Sequence, residues 1–278
     1  MIGVVLAFVG SLLEETSNSI GKFAFAKKWE HPATMGFLNC SWTVAYFGII
    51  SLFVPGSFVI VLSTLPILFL LVILGGVQSV TSLWAIKIAS RSTYGMLRAT
   101  TIPILALIDA FTGKEVSPLK FLAMGLIYAA VVWLNRNHGI EKRGAGLVLF
   151  TAVNGAICLA LLKYLFESGT SVAAAQLTIL VPVAVVFLCW HWVERRHARG
   201  KPHFGLLTVQ TASAGAATVV ESYALLFVPA SVMTTVVRSC TVLFGILTGN
   251  VVFHERHFRE KLIAGGVIVI GLAMLIVG

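Results

Sequence analysis

The 278-residue chain is 58% hydrophobic and only 11% charged, and its formal net charge is +9 at neutral pH. Globular proteins contain about a quarter charged residues, so this composition excludes an ordinary soluble domain and favours a protein that folds in lipid. The basic residues stand mainly in short connectors between apolar runs, where they orient membrane proteins. This placement argues against nucleic-acid binding as the explanation of the net positive charge.

The apolar runs are about 20 residues long and do not alternate in polarity, which predicts membrane-spanning helices rather than a β-barrel. Helices pair their own backbone polar groups, as lipid requires. Hydropathy and helix breakers predict ten spans, at residues 2–25, 33–54, 66–88, 93–112, 118–136, 145–166, 171–193, 204–227, 231–253 and 260–277.

The basic residues of the connectors are unevenly distributed. Connectors after the odd-numbered spans hold nearly all of them, whereas connectors after the even-numbered spans hold only Lys114 and Lys120. Because basic connectors stay in the cytoplasm, both chain termini are predicted to lie outside it. We therefore expect an integral protein of a bacterial inner membrane with non-cytoplasmic termini.

A shift of 140 residues aligns one half of the sequence with the other. The aligned pairs are Arg98 with Arg238, Thr101 with Thr241, Glu115 with Glu255 and Gly125 with Gly265. Residues 1–139 and 140–278 then form two halves of five spans each, and the odd number turns the second half upside down. Inverted repeats let secondary transporters open one central site to each side in turn. The alternative is chance similarity between two apolar stretches.

Two segments of the chain resemble the paired helices of EamA-like proteins in the drug/metabolite transporter superfamily. They read RATTIPILALIDAFTGKEVSPLKFLAMGLIYAAVVWL and VVRSCTVLFGILTGNVVFHERHFREKLIAGGVIVIGLAML. In each, an arginine precedes a small polar patch, an apolar helix, a glutamate and a glycine-containing helix. Leu243 replaces the usual proline opposite Pro103, and Lys114 replaces a small residue. The resemblance implies a ten-helix solute carrier, usually an exporter of small polar metabolites.

Two acids lie near the middle of the first span, where an ionisable side chain costs about 3 kcal/mol unless it faces a cavity or a partner. They are Glu14 and Glu15, and Glu14 shares a helical face with Asn18 and Lys22. We expect one of the acids to line a cavity, where it binds a substrate amine or carries a coupling proton. The alternative is an ion pair with Lys22.

Charged residues also lie within the fourth, eighth and ninth spans. Glu221 shares a face of the eighth span with Gln210, and Arg238 reaches a similar depth in the ninth. Glu221 and Arg238 could pair with each other or hold opposite ends of a zwitterion. Arg98, the repeat counterpart of Arg238, is expected to guard the opposite vestibule. The alternative for Arg98 is a side chain that extends to the membrane interface.

Other polar and aromatic residues in the spans are candidates for lining a cavity. They are Asn39, Trp42, Tyr46, Gln78, Ser82, Asn154 and Gln176. The aromatic rings could stack on a substrate or cation, although such rings also serve packing. Lys22 and Lys163 are expected to extend to the span ends, and Asp109 is expected to contact solvent or Lys114.

The sequence contains no motif of an enzyme or an ATP-driven pump. The histidines of His254-Glu255-Arg256-His257 are three residues apart, not four as in a zinc-binding HExxH helix. Walker and GxGxxG loops are missing. The four cysteines lie within predicted spans at spacings that match no zinc or disulfide framework. We therefore predict no enzymatic activity, no cofactor and no metal.

These features together predict an all-α integral membrane protein that acts as a secondary active transporter by alternating access. Its expected partners are the lipid bilayer and a small polar metabolite, most simply an amino acid or similar zwitterion that is exported, with protons as the candidate coupling ion. The alternative substrates are organic phosphates or nucleotide sugars. A lipid-handling or scaffold protein is the alternative of a different class, and a polar central cavity would argue against it.

Overall fold

The computed structural model of this chain describes residues 1–27, 29–89, 91–113, 117–138, 144–194, 203–253 and 258–277. Their regular structure is helical: eleven α-helices and one short 3-10 turn, Leu62–Thr64. The α-helices are α1 Ile2–Ala26, α2 Pro32–Phe53, α3 Leu65–Ile88, α4 Arg91–Arg98, α5 Thr101–Phe111, α6 Pro118–His138, α7 Ala145–Glu167, α8 Val172–Glu194, α9 Phe204–Phe227, α10 Ala230–Phe253 and α11 Phe258–Val277.

The predicted all-α fold is confirmed in these residues, and nine of the ten predicted spans correspond to single helices. The fourth span does not, because its helix is interrupted between α4 and α5. At the interruption Thr100 N–H donates to the Leu97 carbonyl and Ile102 N–H to the Ala99 carbonyl, both three residues back. Pro103 has no N–H to donate to the preceding turn, whereas α10 has Leu243 at the aligned position and is continuous.

Several of the helices have the character of membrane spans. Four are long and apolar enough to cross a membrane: Pro32–Phe53, Leu62–Ile88, Ala145–Glu167 and Val172–Val193. Shorter apolar helical stretches lie at Thr101–Phe111, Pro118–Trp133, Ala230–Phe244 and Ile263–Met274. Large apolar side chains such as Phe69 and Val186 are more than half exposed. This pattern indicates association with a membrane.

The helices α1 and α9 pack as antiparallel neighbours. In α1 and α9, Gly3 faces Phe227 at one end of the pair and Gly21 faces Gln210 at the other. We call the end where α1 and α3 finish and α2 and α9 begin the basic end, because Lys27 and Lys87 lie there. The other end of the bundle is called the opposite end.

The helix pairs have a symmetric arrangement. Four of the closely packed pairs are α1 with α9, α3 with α7, α2 with α8 and α6 with α11. In addition, α2 packs against α9 and α1 against α10. Under the 140-residue shift α1 corresponds to α7, α2 to α8, α3 to α9 and α6 to α11. Exchanging the halves therefore turns the α1–α9 contact into the α7–α3 contact and leaves the α2–α8 and α6–α11 pairs unchanged.

Two lysines donate hydrogen bonds to carbonyl groups at the ends of neighbouring helices. Lys22 of α1 donates to the carbonyls of Ile86 and Ala89 at the end of α3. Lys163 of α7 donates to the Leu225 carbonyl near the end of α9. A cation is favourable at a helix C-terminus, where carbonyls lack intrahelical partners. Both lysine side chains therefore bind carbonyl groups at the ends of neighbouring helices.

Asp109 differs from its prediction. Its side chain is buried, with the residue only 4% exposed, and Oδ2 accepts a 2.8 Å hydrogen bond from the Ser231 N–H in the first turn of α10. A carboxylate satisfies an N–H group there and complements the helix dipole. Asp109 therefore joins α5 to α10 and does not face solvent, and Lys114 lies outside the described residues.

Hydrogen bonds close the opposite end between the two halves. Thr170 Oγ1 lies 3.0 Å from Thr64 Oγ1, Ser171 N–H donates to the Val59 carbonyl at 2.9 Å, and Ser171 Oγ donates to the Ser57 carbonyl at 2.6 Å. These bonds fasten the connector before α3 to the corner before α8.

Candidate functional site

A polar cavity of about 270 Å³ lies within the bundle. Its walls come from α1, α2, α3, α4, α8 and α9, and it extends from the middle of α1 towards the basic end. Eight predicted site residues line it: Glu14, Asn18, Asn39, Gln78, Ser82, Arg98, Gln210 and Glu221. The volume is slightly below that of common small-molecule sites, about 300–1,000 Å³.

Glu14 lies between two arginines at the inner limit of this cavity. Arg98 Nη1 is 2.9 Å from Glu14 Oε1, and Arg238 Nη1 is 3.4 Å from Glu14 Oε2. The side chains of Arg98 and Arg238 are only 12% and 8% exposed. Ion pairs this buried are only weakly screened by solvent, so one carboxylate is the common counterion of both guanidinium groups.

The convergence of the two arginines differs from the sequence-based expectation. Arg98 and Arg238 were assigned to separate vestibules on opposite sides of the membrane, but both contact the same residue. Lys22, the alternative partner of the central acids, contacts the end of α3 instead of pairing with Glu14. The two halves therefore contribute aligned arginines to a single site.

Five buried polar atoms in or beside this cavity have no hydrogen-bond partner within the described residues. They are Nδ2 of Asn18, Nε of Arg98, Oε1 of Gln210, Oε1 of Glu221 and Nε of Arg238. Buried polar atoms in native proteins normally have partners, in the protein or in a bound molecule. The site therefore offers three donors, two of them on guanidinium groups, and two acceptors, one of them on a carboxyl group.

Glu221 lies directly against α1. A Cβ atom added to Gly10 would lie 2.6 Å from Glu221 Cγ, so only glycine leaves room for this side chain. Glu221 also lines a second cavity of about 200 Å³ between α3, α7, α8 and α9. Within the described residues no Glu221–Arg238 ion pair is formed, and Arg238 lies 3.4 Å from Glu14 instead.

The other predicted residues lie around the cavity. Asn154 donates to Gln78 Oε1 and to the Leu74 carbonyl, both at 3.0 Å, and Gln176 donates to Ser222 Oγ at 2.8 Å in the wall of the second cavity. Glu15 is buried and accepts a bond from Ser19 Oγ.

The two predicted aromatic residues do not reach the cavity lining. The rings of Trp42 and Tyr46 lie 5.7 Å apart, and Tyr46 packs where α2 meets Gly215 of α9. This contact is side-chain packing, which was the alternative role considered for these two rings.

Several lining residues were missed by the sequence analysis. Tyr94 accepts a 2.8 Å hydrogen bond from Arg98 Nη1, and its position one helical turn before Arg98 was an available signal. Smaller hydroxyl residues also line the cavity: Ser17, Thr43, Ser79 and Thr218. Short hydroxyl residues are frequent in membrane helices as packing residues, so their sequence positions alone carry little information.

Metal ligation gains no support from the described part of the chain, where no group of three or more histidine, cysteine, aspartate or glutamate side chains lies together. The site instead consists of guanidinium, carboxylate, amide and hydroxyl groups. This chemistry suits a small polar or charged organic molecule.

Comparisons with known proteins bear on the fold alone. No protein family model and no curated protein matches the chain. Chains of solved structures do match it. One of them, described only as the crystal structure of a protein, superposes with a TM-score of 0.76, covers 99% of this chain and 98% of that chain, and is 15% identical. The helical architecture therefore recurs over its whole length in another protein.

Proposed function

We propose that this chain is a secondary active transporter of small amino-acid-like zwitterions. The observation that carries the proposal is the set of unpartnered buried atoms in and beside the cavity, which includes Nε of Arg98 and Arg238 and Oε1 of Glu221. Guanidinium groups bind carboxylates through paired N–H donors, and a carboxylate accepts bonds from an ammonium group. A zwitterion would satisfy atoms of both signs.

The scaffold we propose has ten membrane spans, with α4 and α5 together forming the fourth, in two inverted halves, residues 1–139 and 140–278. The exchange symmetry of the helix contacts supports this arrangement. Secondary transporters with inverted repeats place their site near the bilayer midplane, where the halves meet. Glu14 lies at the middle of α1 and contacts one arginine from each half. Alternating access by exchange of the two halves is the mechanism that follows.

The proposed orientation places the basic end in the cytoplasm of a bacterium, with both termini on the other side of its inner membrane. The cavity then faces the cytoplasm in this conformation. Membership of the EamA-like branch of the drug/metabolite transporter superfamily is part of the proposal and rests on the two sequence segments that resemble it. A polar cavity of about 270 Å³ also favours a transporter over a scaffold protein.

An organic phosphate is the second candidate substrate, because two guanidinium groups converge on one place. Glu14 already neutralises part of their charge, and Lys163 is occupied at the end of α9 and with Glu167 at 3.6 Å. The zwitterion is therefore the substrate that the site supports better.

Transport into proteoliposomes tests the proposal. Radiolabelled amino acids, amines and sugar phosphates would be offered with and without a pH gradient. We expect uptake of an amino acid that is stimulated by the gradient, abolished by Glu221→Gln, and retained by Glu167→Gln, which changes a half-exposed glutamate far from the cavity. Uptake of sugar phosphates alone would establish the second candidate. Failure of all three classes to move would refute a transporter of small metabolites.

A further inference from the structure

The charges of the site are distributed unequally between the two halves. The 140-residue shift that aligns Arg98 with Arg238 also aligns Glu14 with Asn154. Each half thus supplies one arginine to the centre, but only the first half supplies the carboxylate that binds the two arginines. The corresponding residue of α7 is a neutral amide.

In an inverted-repeat transporter, the conformation open to the other side has the contacts of the two halves exchanged. The present contacts of Glu14 with the two arginines would then become contacts of Asn154 with the same two arginines. Glu14 would take the position that Asn154 now has beside Gln78. After exchange that position lies beside Thr218, because the shift aligns Gln78 with Thr218.

An amide cannot replace a carboxylate as the counterion of two buried guanidinium groups. Removing the anion from a buried ion pair is strongly unfavourable because it leaves an uncompensated charge. The exchanged conformation would therefore hold two arginines without an internal anion. Their side chains are already largely buried in the present conformation.

We propose that the arginine pair is bound by the protein's own Glu14 when the cavity faces the basic end, and by the carboxylate of the substrate when it faces the opposite end. This inference rests on the proposed transport function. It makes the carboxylate an obligatory part of the substrate, because a simple amine would leave the arginines unpaired. It also makes substrate binding weaker when the cavity faces the basic end, because Glu14 there competes with the substrate carboxylate for the arginines.

The test moves the carboxylate from position 14 to the aligned position 154 and measures which end is open. Cys40 lines the cavity, so its modification by a small thiol reagent reports opening at the basic end. The other three cysteines are replaced by serine. In this background the double variant Glu14→Asn/Asn154→Asp should favour the exchanged conformation and lower the Cys40 labelling rate about tenfold, a common size for coupling between conformation and binding. Glu167→Gln, which changes a carboxylate far from the cavity, should leave the rate unchanged.

The single variant Asn154→Asp keeps Glu14 and supplies an internal carboxylate in both conformations. Glycine should slow Cys40 labelling of the parent protein by binding the exchanged conformation, and this effect should be lost in Asn154→Asp. Methylamine, which lacks a carboxylate, should have no effect on either protein. The single variant decides the question if the double variant does not fold.

The outcomes separate the inference from the proposed function. Labelling of the double variant at the parent rate would overturn the inference, as would protection by glycine that survives Asn154→Asp. Protection of the parent by methylamine as strong as by glycine would overturn the role of the carboxylate. If no common amino acid alters labelling of the parent while the double variant is protected, the unequal counterion is upheld and the proposed substrate class fails.

Discussion

Replacing Glu14 by glutamine removes the shared counterion while preserving the shape of the side chain. Breaking a buried ion pair from one side costs about 3–5 kcal/mol. Glu14 itself is 20% exposed to the cavity, and water there reduces the cost towards the lower limit. We therefore expect Glu14→Gln to lower the free energy of unfolding by about 3 kcal/mol, from the low end of that range.

The two contacts should contribute unequally. Arg98 lies at full hydrogen-bond distance, 2.9 Å, whereas Arg238 at 3.4 Å is beyond the common range for N–H···O bonds. Double-mutant cycles with Arg98→Gln and Arg238→Gln should give coupling energies with Glu14 of about 2 and about 1 kcal/mol, within the range of contacting pairs.

Reversible unfolding in mixed detergent micelles provides the measurement. Glu167→Gln is the matched control, because Glu167 is 40% exposed and lies 3.6 Å from Lys163; an exposed pair contributes about 0–1 kcal/mol. A Glu14→Gln protein as stable as the control, or a coupling energy with Arg98 near zero, would refute the assignment of Glu14 as the counterion.

Three further predictions concern packing, helix capping and pH. Gly10→Ala adds a methyl group 2.6 Å from the facing glutamate side chain and should cost about 1–3 kcal/mol in unfolding measurements, whereas Gly48→Ala, which has open space around it, should stabilise its helix by up to about 1 kcal/mol. Asp109→Ala should destabilise by about 1–2 kcal/mol through loss of the bond to α10, and Asp109→Asn should recover most of the loss; equal losses would show that the acceptor is unimportant. Burial raises the pKa of Glu30, in the connector between α1 and α2, so the folded protein favours the neutral acid. Stability should therefore be highest below the ordinary pKa, about 4.3, and fall as the pH rises through the raised value, and thermal unfolding of Glu30→Gln should lack this fall.

The positions of the helices could be predicted from the sequence because each is set by local information. Apolar length and breakers such as Pro32 and Pro118 determine where helices begin. The interruption before α5 had a signal in Pro103, but a proline near the start of a helix is often tolerated. Whether this proline interrupts the helix depends on the hydrogen bonds that the preceding turn can make.

The site could be predicted only in part. Depth within a span identified Glu14, Arg98, Glu221 and Arg238, since a charge there requires a partner or a cavity. Which charges meet depends on which helices are neighbours, and α1 is distant in sequence from α10. The helical face on which a residue lies does not show which helix packs against it. The common partner of the two arginines could therefore not be predicted from the sequence. Asp109 was misplaced for the same reason, because its partner lies at the start of α10.

The way Glu14 is shared has a consequence for biosynthesis. Ribosomes release the first half before the second, and domains assemble in that order. In the proposed transporter, Glu14 and Arg98 belong to the same half and are 2.9 Å apart, so both would enter the bilayer as a neutral pair. Arg238 is made later, and its counterion would already be in the membrane when α10 arrives. A chain that begins at residue 140 would have to insert Arg238 without that counterion.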